Sequence, residues 1–326
     1  MLKNLIPSAY ESIYYGLFIL CGFFIPFLSI RVFKNILPRD KGRDFALNGK
    51  LSEGKPRGAG LLMFTSFIIT VALFVPLTVE LIIYIAFIYL EMLSGYLDDS
   101  AAIPWGRVKK GLIDLVVSVG ISSTYCIYNQ PTVKLALVSI SFTLPTVVYI
   151  VLGAALVWGS INVTNCSDGV DGLCGSLSII SLATVFILMQ NMINLGEESD
   201  DFRLIILSAI LMLIAYLWYN TSPSVILMGD AGSRALGVLI ALSAMKLGSP
   251  LLFLIFAFML IIDGGLSLLK ISCIKFLKMK NFMKNIRTPI HDHMRKNNGW
   301  SDTQVVTRFS IVQGVISLAL IGFLTR

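Results

Sequence analysis

Long apolar runs broken by short polar segments dominate the chain from end to end. A helix needs about 20 mostly apolar residues to cross the hydrocarbon of a bilayer. Ten stretches meet or approach that length: 13–33, 60–78, 79–97, 111–129, 133–157, 172–192, 203–219, 234–248, 250–272 and 309–324. The eighth is short and interrupted by Gly237. No internal repeat and no water-soluble segment of domain size is visible. The pattern predicts an all-α polytopic membrane protein of about ten transmembrane helices, with residues 1–326 as a single integral membrane domain.

Composition strengthens this reading. The 326 residues are 56% hydrophobic and 14% charged, with a mean hydropathy of +0.81. Soluble proteins carry about 25% charged residues, so the deficit excludes a surface that faces water throughout. Cys21, Cys126, Cys166, Cys174 and Cys273 are odd in number and lie in or beside apolar runs. Their spacing suits neither a metal nor a disulfide framework, and they read as small buried side chains. The opening MLKNLIPSAYES lacks a basic start and a small-residue cleavage site, so no removable leader is expected.

Charge sets the orientation. Segments 31–59, 98–111 and 270–308 hold 8, 3 and 9 Lys or Arg residues, and Arg234 adds one, so 21 of 26 fall on one side of the ten spans. The other side keeps Lys3, Lys134, Arg203, Lys246 and Arg326, together with the acidic run Glu197, Glu198, Asp200 and Asp201. Positive residues accumulate in cytoplasmic loops, which places the basic face in the cytoplasm and both termini outside. Most of the cations between Lys270 and Lys284 need only anchor helices against anionic lipid.

Polar residues at membrane depth cost on the order of 3 kcal/mol when charged, so they usually have a task. Asp98 and Asp99 end the third span, and Asp168 and Asp171 precede the sixth in NVTNCSDGVDGL. Asp230 stands between glycines in MGDAGS before the eighth, and His291, Asp292 and His293 lie in the last basic loop. All eight fall on the cytoplasmic face. Adjacent carboxylates at a helix end can hold a hard cation or relay a proton. Asp168 and Asp171, three apart, would share one face if helical and could take a nucleoside's donor edge. An Asp between glycines at a helix start suits a metal-bridged diphosphate. The bland alternatives are solvated acids, an Asp helix cap and an ordinary turn. Shared location on one face favours the functional reading.

The order GKPRGAG (54–60), DD (98–99), N-x-x-N-x-x-DGxDGL (162–173), N-x-x-P…MGDxGS (220–233) and PIHxH…GW…RF (289–309) resembles the polyprenyl-phosphate N-acetylhexosamine-1-phosphate transferases. Within them the chain is most similar to the branch of phospho-N-acetylmuramoyl-pentapeptide transferases, over residues 45 to 310. The resemblance implies a ten-helix bacterial inner-membrane enzyme with a cytoplasmic cleft. It implies transfer of a sugar-1-phosphate from a UDP-sugar to undecaprenyl phosphate, with release of UMP and a requirement for Mg²⁺. Membrane lipids are the surrounding partner, a homodimer follows from the resemblance alone, and nothing in the chain points to nucleic acid.

Position by position, the resemblance implies Asp98 beside the lipid phosphate as a proposed base, Asp99 supporting metal and phosphates, and Asp230 as principal Mg²⁺ ligand. Asn162, Asn165, Asp168 and Asp171 would line the nucleotide and sugar pocket, with Asp171 nearest the uracil. Gly229 and Leu227 flank that pocket, Lys110 would lie near the diphosphate, and His291 and His293 would face the phosphates and sugar. Three positions depart from the family pattern: Asp292 replaces the middle histidine of a three-histidine run, Leu227 stands where Phe stacks on uracil, and Ala102 where the branch has Lys. A relative moving another UDP-amino-sugar, such as UDP-N-acetylglucosamine, therefore stays open. A transporter or scramblase would use Glu91 and Asp263 as a proton path, but such sites sit near the midplane of repeated halves, and neither feature is visible. A CDP-alcohol phosphotransferase needs DGxxAR, and DGVDGLCG lacks the Arg.

Overall fold

The computed structural model describes residues 11–42, 52–191, 197–279 and 281–325. The segment 1–10, in which no leader was expected, lies outside them, as do Lys3, Arg43, Lys50, Lys280 and Arg326 of the charge count. Helices α1 (Glu11–Phe33), α2 (Gly60–Phe74), α3 (Val79–Ser100) and α4 (Arg107–Tyr128) come first. A hairpin of β1 (Thr132–Leu135) and β2 (Ile140–Thr143) follows, and then α5 (Thr146–Cys166), α6 (Leu173–Asn191), α7 (Glu197–Asn220) and α8 (Gly229–Lys246). The last part holds α9 (Phe253–Phe256), α10 (Phe258–Leu260), a π-helical turn (Ile261–Gly265), α11 (Leu266–Lys275), α12 (Ile290–Asn297) and α13 (Asp302–Leu324).

Among the described residues seven helices are long and apolar enough to cross a membrane, or eight if the bent pair Pro250–Phe256 and Phe258–Lys275 counts as one. Helix α2 is apolar but only 15 residues long. Each of the ten expected stretches has a helical counterpart, with three differences that have physical causes. The fifth stretch joins two elements: residues 133–143 form most of an antiparallel hairpin with Thr132 opposite Thr143, and the helix starts only after Pro145. Counting apolar residues does not separate the period-2 pattern of TVKL and ISFT from a helix. The eighth begins at Gly229 rather than 234, and Gly237 does not interrupt it. The ninth is bent by 75°.

The surface is inverted relative to a soluble protein: Val147, Leu318 and Trp218 project outward, each more than two-thirds exposed. A lipid environment accommodates such a belt, and helices satisfy their own backbone groups within it. At the centre stands α8, in which every residue except Asp230 and Lys246 is buried. It packs chiefly against α3, α5 and α2, and small residues allow that closeness. A Cβ on Gly95 of α3 would strike the Asp230 carbonyl and Ala231 N, and one on Gly237 would strike the Ile161 backbone of α5. Ser160 donates to the Gly237 carbonyl at 2.7 Å. Close backbone approach is what holds helices together in lipid, where apolar burial gives little advantage.

The two ends of this core differ. At one end Glu80 accepts from Tyr84 (2.8 Å), Asn129 (2.6 Å) and Lys246 (3.0 Å), tying the start of α3 to the ends of α4 and α8. The opposite ends of the same three helices carry Asp98, Lys110 and Asp230.

Candidate active site

Three short segments build the floor of the site. Lys55 to Ala59 runs between two others: Asp40 N donates to the Lys55 carbonyl (2.8 Å) and Arg57 N to the Pro38 carbonyl (2.8 Å) on one side. On the other, Leu227 N donates to the Pro56 carbonyl (2.8 Å) and Ala59 N to the Leu227 carbonyl (3.1 Å). This pairing holds Arg57 over the helix ends. Its guanidinium donates to Asp99 Oδ1 at 2.8 Å and Asp40 Oδ2 at 3.0 Å, and reaches Asp230 Oδ1 at 3.5 Å. Lys110 completes the cluster, pairing with Asp98 and with Asp230 Oδ2 at 3.0 Å. Four carboxylates from three separate stretches of the chain thus share two cations.

Charge balance follows from this packing. Burial pushes the Asp40 carboxyl up, but the Gly42 N–H and then Arg57 outweigh it and hold the group below the ordinary carboxylate value. Burial lowers the Arg57 pKa, and Asp99 and Asp230 overcome it, so the guanidinium is held charged. Asp98 is fixed further by the Trp105 N–H at 2.6 Å, and the Lys109 ammonium lies 3.2 Å above the Trp105 ring. The loop containing Pro104 and Trp105 is therefore anchored on the acid it follows. Ala102 provides no cation of its own, but the Lys41 ammonium donates to its carbonyl at 3.0 Å.

Gly229 sits at φ +71, a left-handed conformation that favours glycine. The space a Cβ would take there is filled by the Asp99 carboxylate, which also accepts from Ala231 N at 3.1 Å. The glycine before Asp230 thus lets two acids approach at the start of α8.

Asp168 and Asp171 lie on the turn between α5 and α6 rather than on a helix, so a shared helical face does not apply. Asp171 accepts from Ser224 N at 2.9 Å and stands 3.8 Å from Lys55 Nζ. Asn220 accounts for the N-x-x-P motif: its side chain accepts from Gly172 N and donates to the Ile226 carbonyl, both at 2.8 Å, joining this turn to the segment before Asp230. Asn165 donates to Ser233 Oγ at 2.9 Å, and Asn162 reaches Asp114 Oδ2 at 3.5 Å. His291, buried on α12, faces Gly169 of the same turn, where a Cβ would meet its Nε2. His293 points elsewhere, accepting from Arg287 N at 3.3 Å. Asp292 pairs with Arg295 at 3.5 Å and lies 4.0 Å from His291 Nε2.

Asp98, Asp99, Asp230 and Lys110 therefore form one cluster. Asp171 joins it through Lys55, on the segment that carries Arg57, and His291 approaches over the 167–172 turn. Arg57, Lys55 and Asp40 were not singled out in the sequence. The signal was present in GKPRGAG, where two cations flank a proline between glycines.

The carboxylates suit a hard divalent cation, although among the described residues no group of three or more His, Cys, Asp or Glu encloses one point. Mg²⁺ is commonly held by one or two carboxylates plus substrate phosphates rather than by a protein cage. Asp99 and Asp230, beside cations that would meet phosphate, fit that pattern.

Residues 81–248 match the model of glycosyl transferase family 4. Similar proteins include the phospho-N-acetylmuramoyl-pentapeptide-transferase of Treponema pallidum (strain Nichols), 32% identical over 95% of this chain and 89% of its own length. The protein of the same name from Clostridium acetobutylicum is 30% identical over 93% of both chains. That from Wolbachia pipientis wMel is 26% identical over 97% of both.

Proposed function

The chain belongs to glycosyl transferase family 4 and is a membrane phospho-sugar transferase, and on that premise we propose that it transfers phospho-N-acetylmuramoyl-pentapeptide from a UDP donor to undecaprenyl phosphate. The observation that carries the reading is the gathering of Asp98, Asp99 and Asp230 around Lys110 and Arg57 at one end of the helix core. The names of the relatives support the donor. The basic face supports a ten-span chain in the bacterial cytoplasmic membrane, with α2 and α8 as the short spans, both termini outside and this end in the cytoplasm.

In this reading an oxygen of the acceptor phosphate attacks the donor phosphorus that bears the sugar. A new P–O bond forms, the bond to the UMP oxygen breaks, and UMP leaves with the electron pair. An acceptor phosphate is largely deprotonated near neutral pH, its second pKa being about 6, so no strong base is needed. Such transfers depend mainly on positioning and on stabilising charge on oxygen. Asp99 and Asp230 would hold Mg²⁺, which would neutralise charge on the diphosphate. Lys110 and Arg57 supply fixed positive charge beside it, and Asp98 positions Lys110 where the acceptor phosphate meets the interface. Asn162, Asn165, Asp168 and Asp171 border the sugar and nucleotide.

The test is a donor panel with purified protein and undecaprenyl phosphate, reading radiolabelled UMP. UDP-MurNAc-pentapeptide is expected to release UMP only with Mg²⁺. Turnover of UDP-N-acetylglucosamine instead would assign the chain to the other donor class.

A further inference from the structure

The π-helical turn Ile261–Gly265 contains a carboxylate that the reaction above does not use. Asp263 is fully buried, and its nearest partner is the buried His291. Its Oδ1 accepts from His291 N at 2.7 Å, and Oδ2 lies 2.8 Å from His291 Nδ1. A carboxylate only accepts, so Nδ1 carries the proton and the ring cannot turn over. Nε2 is left facing Gly169 on the 167–172 turn, beside Asp168.

The turn's sequence accounts for this delivery. A π turn adds a residue to a helical turn and often marks a functional site. Gly264 lies so near α5 that a Cβ would strike the Val163 carbonyl, between Asn162 and Asn165. Asp263 is thereby placed between the end of α5 and α12.

We propose that Asp263 is a positioning residue for His291, fixing Nδ1–H on the carboxylate so that the doubly protonated ring presents its Nε2–H to the donor's phosphate or sugar oxygens. The proposal deepens the transferase reading and rests on it for the ligand. Burial alone would disfavour a charged ring, but Asp263 reverses this by charge and hydrogen bond, so the His291 pKa lies above its ordinary value. Asp292 adds to the upward shift and Arg295 opposes it. Asp168 lies alongside Gly169, Asp302 of α13 pairs with Arg295 at 2.7 Å, and the Cys166 and Cys174 thiols of α5 and α6 lie within electrostatic reach of Asp263.

The chain has two histidines, so imidazole-labelled full-length protein in nanodiscs gives two ring signals by ¹⁵N NMR, assigned with His293→Gln. His291 is expected to be protonated at Nδ1 and to titrate above an ordinary imidazole. Asp263→Asn, which keeps a neutral acceptor, is expected to lower His291 proton affinity at least about tenfold, one pKa unit. In turnover, kcat falls and the alkaline limb of its pH profile moves down by the same amount, while KM for the lipid acceptor is unchanged. Asp263→Glu is expected to keep the limb. An unchanged His291 tautomer and midpoint in Asp263→Asn overturns the proposal. That readout needs no substrate, so it is independent of the donor assignment.

Discussion

At the residue scale, function rests on cations shared among carboxylates. Arg57 touches Asp40, Asp99 and Asp230, so Arg57→Met leaves acids buried without their partner. Breaking a buried pair in this way costs about 3–5 kcal/mol. A clear drop in the thermal midpoint together with loss of turnover is expected, and wild-type melting would refute the bridging role. Asp40 gives a pH signature. Its folded pKa is depressed, so its contribution to stability is present above about 3.9 and is lost as pH falls through the lower folded value. The stability gap between wild type and Asp40→Asn should therefore narrow on acidification below that value, and a gap that widens would contradict it. Leu227 stands half-buried beside Asp230 where the resemblance implies an aromatic. Stacking on a base is worth about 1–3 kcal/mol, so Leu227→Phe should tighten uridine ligands by roughly tenfold in a binding titration. The acids and His291 were legible as a set because their types and order were distinctive. Arg57 was not, because a loop cation's partners depend on backbone pairing at residues 38–40 and 227.

At the element scale, the structure adds an ionic layer beneath the site. Arg234 of α8 pairs with Glu91 of α3 at 2.7 Å and with Asp114 of α4, all three buried. Along α8, Arg234 is one turn below Asp230; along α4, Asp114 is one turn below Lys110. The two layers therefore fix the relative heights of the same helices. Arg234→Leu alone strands two carboxylates and should lower the melting midpoint sharply, again by about 3–5 kcal/mol. Adding Glu91→Leu and Asp114→Asn should recover much of the loss, and failure to recover would mean that Arg234 acts by other contacts. From the chain alone, Glu91 entered only the disfavoured transporter alternative, and Arg234 only the count of cations on one face. Pairing between helices cannot be read from spacing along one of them. The hairpin at 132–143 was missed for another reason: its apolar content matches a helix, and only its alternation differs. Helix α12 and the GW…RF motif are clearer in the structure, where Arg308 lies 4.2 Å over the Trp300 ring and a Ser301–Gln304 capping box starts α13.

At the scale of the whole molecule, the helix order was legible because bilayer thickness imposes a length on every span, and basic residues mark one face. Bends and short central helices were not legible, since α8 is buried by its neighbours rather than by lipid. The orientation has a direct check in a chain whose native cysteines are replaced. Val138→Cys should react with an impermeant maleimide in intact spheroplasts, and Ser100→Cys only in inverted vesicles. Labelling of both from the same side would contradict the topology.

Asp99 and Asp230 are proposed to hold a divalent ion against the donor's diphosphate. Mn²⁺ electron paramagnetic resonance on the full-length protein with the UDP donor tests it most directly. Bound Mn²⁺ with ³¹P coupling is expected in the wild type, with loss of that signal together with turnover in Asp230→Ala and Asp99→Ala. An unchanged ³¹P-coupled signal in both variants would contradict it.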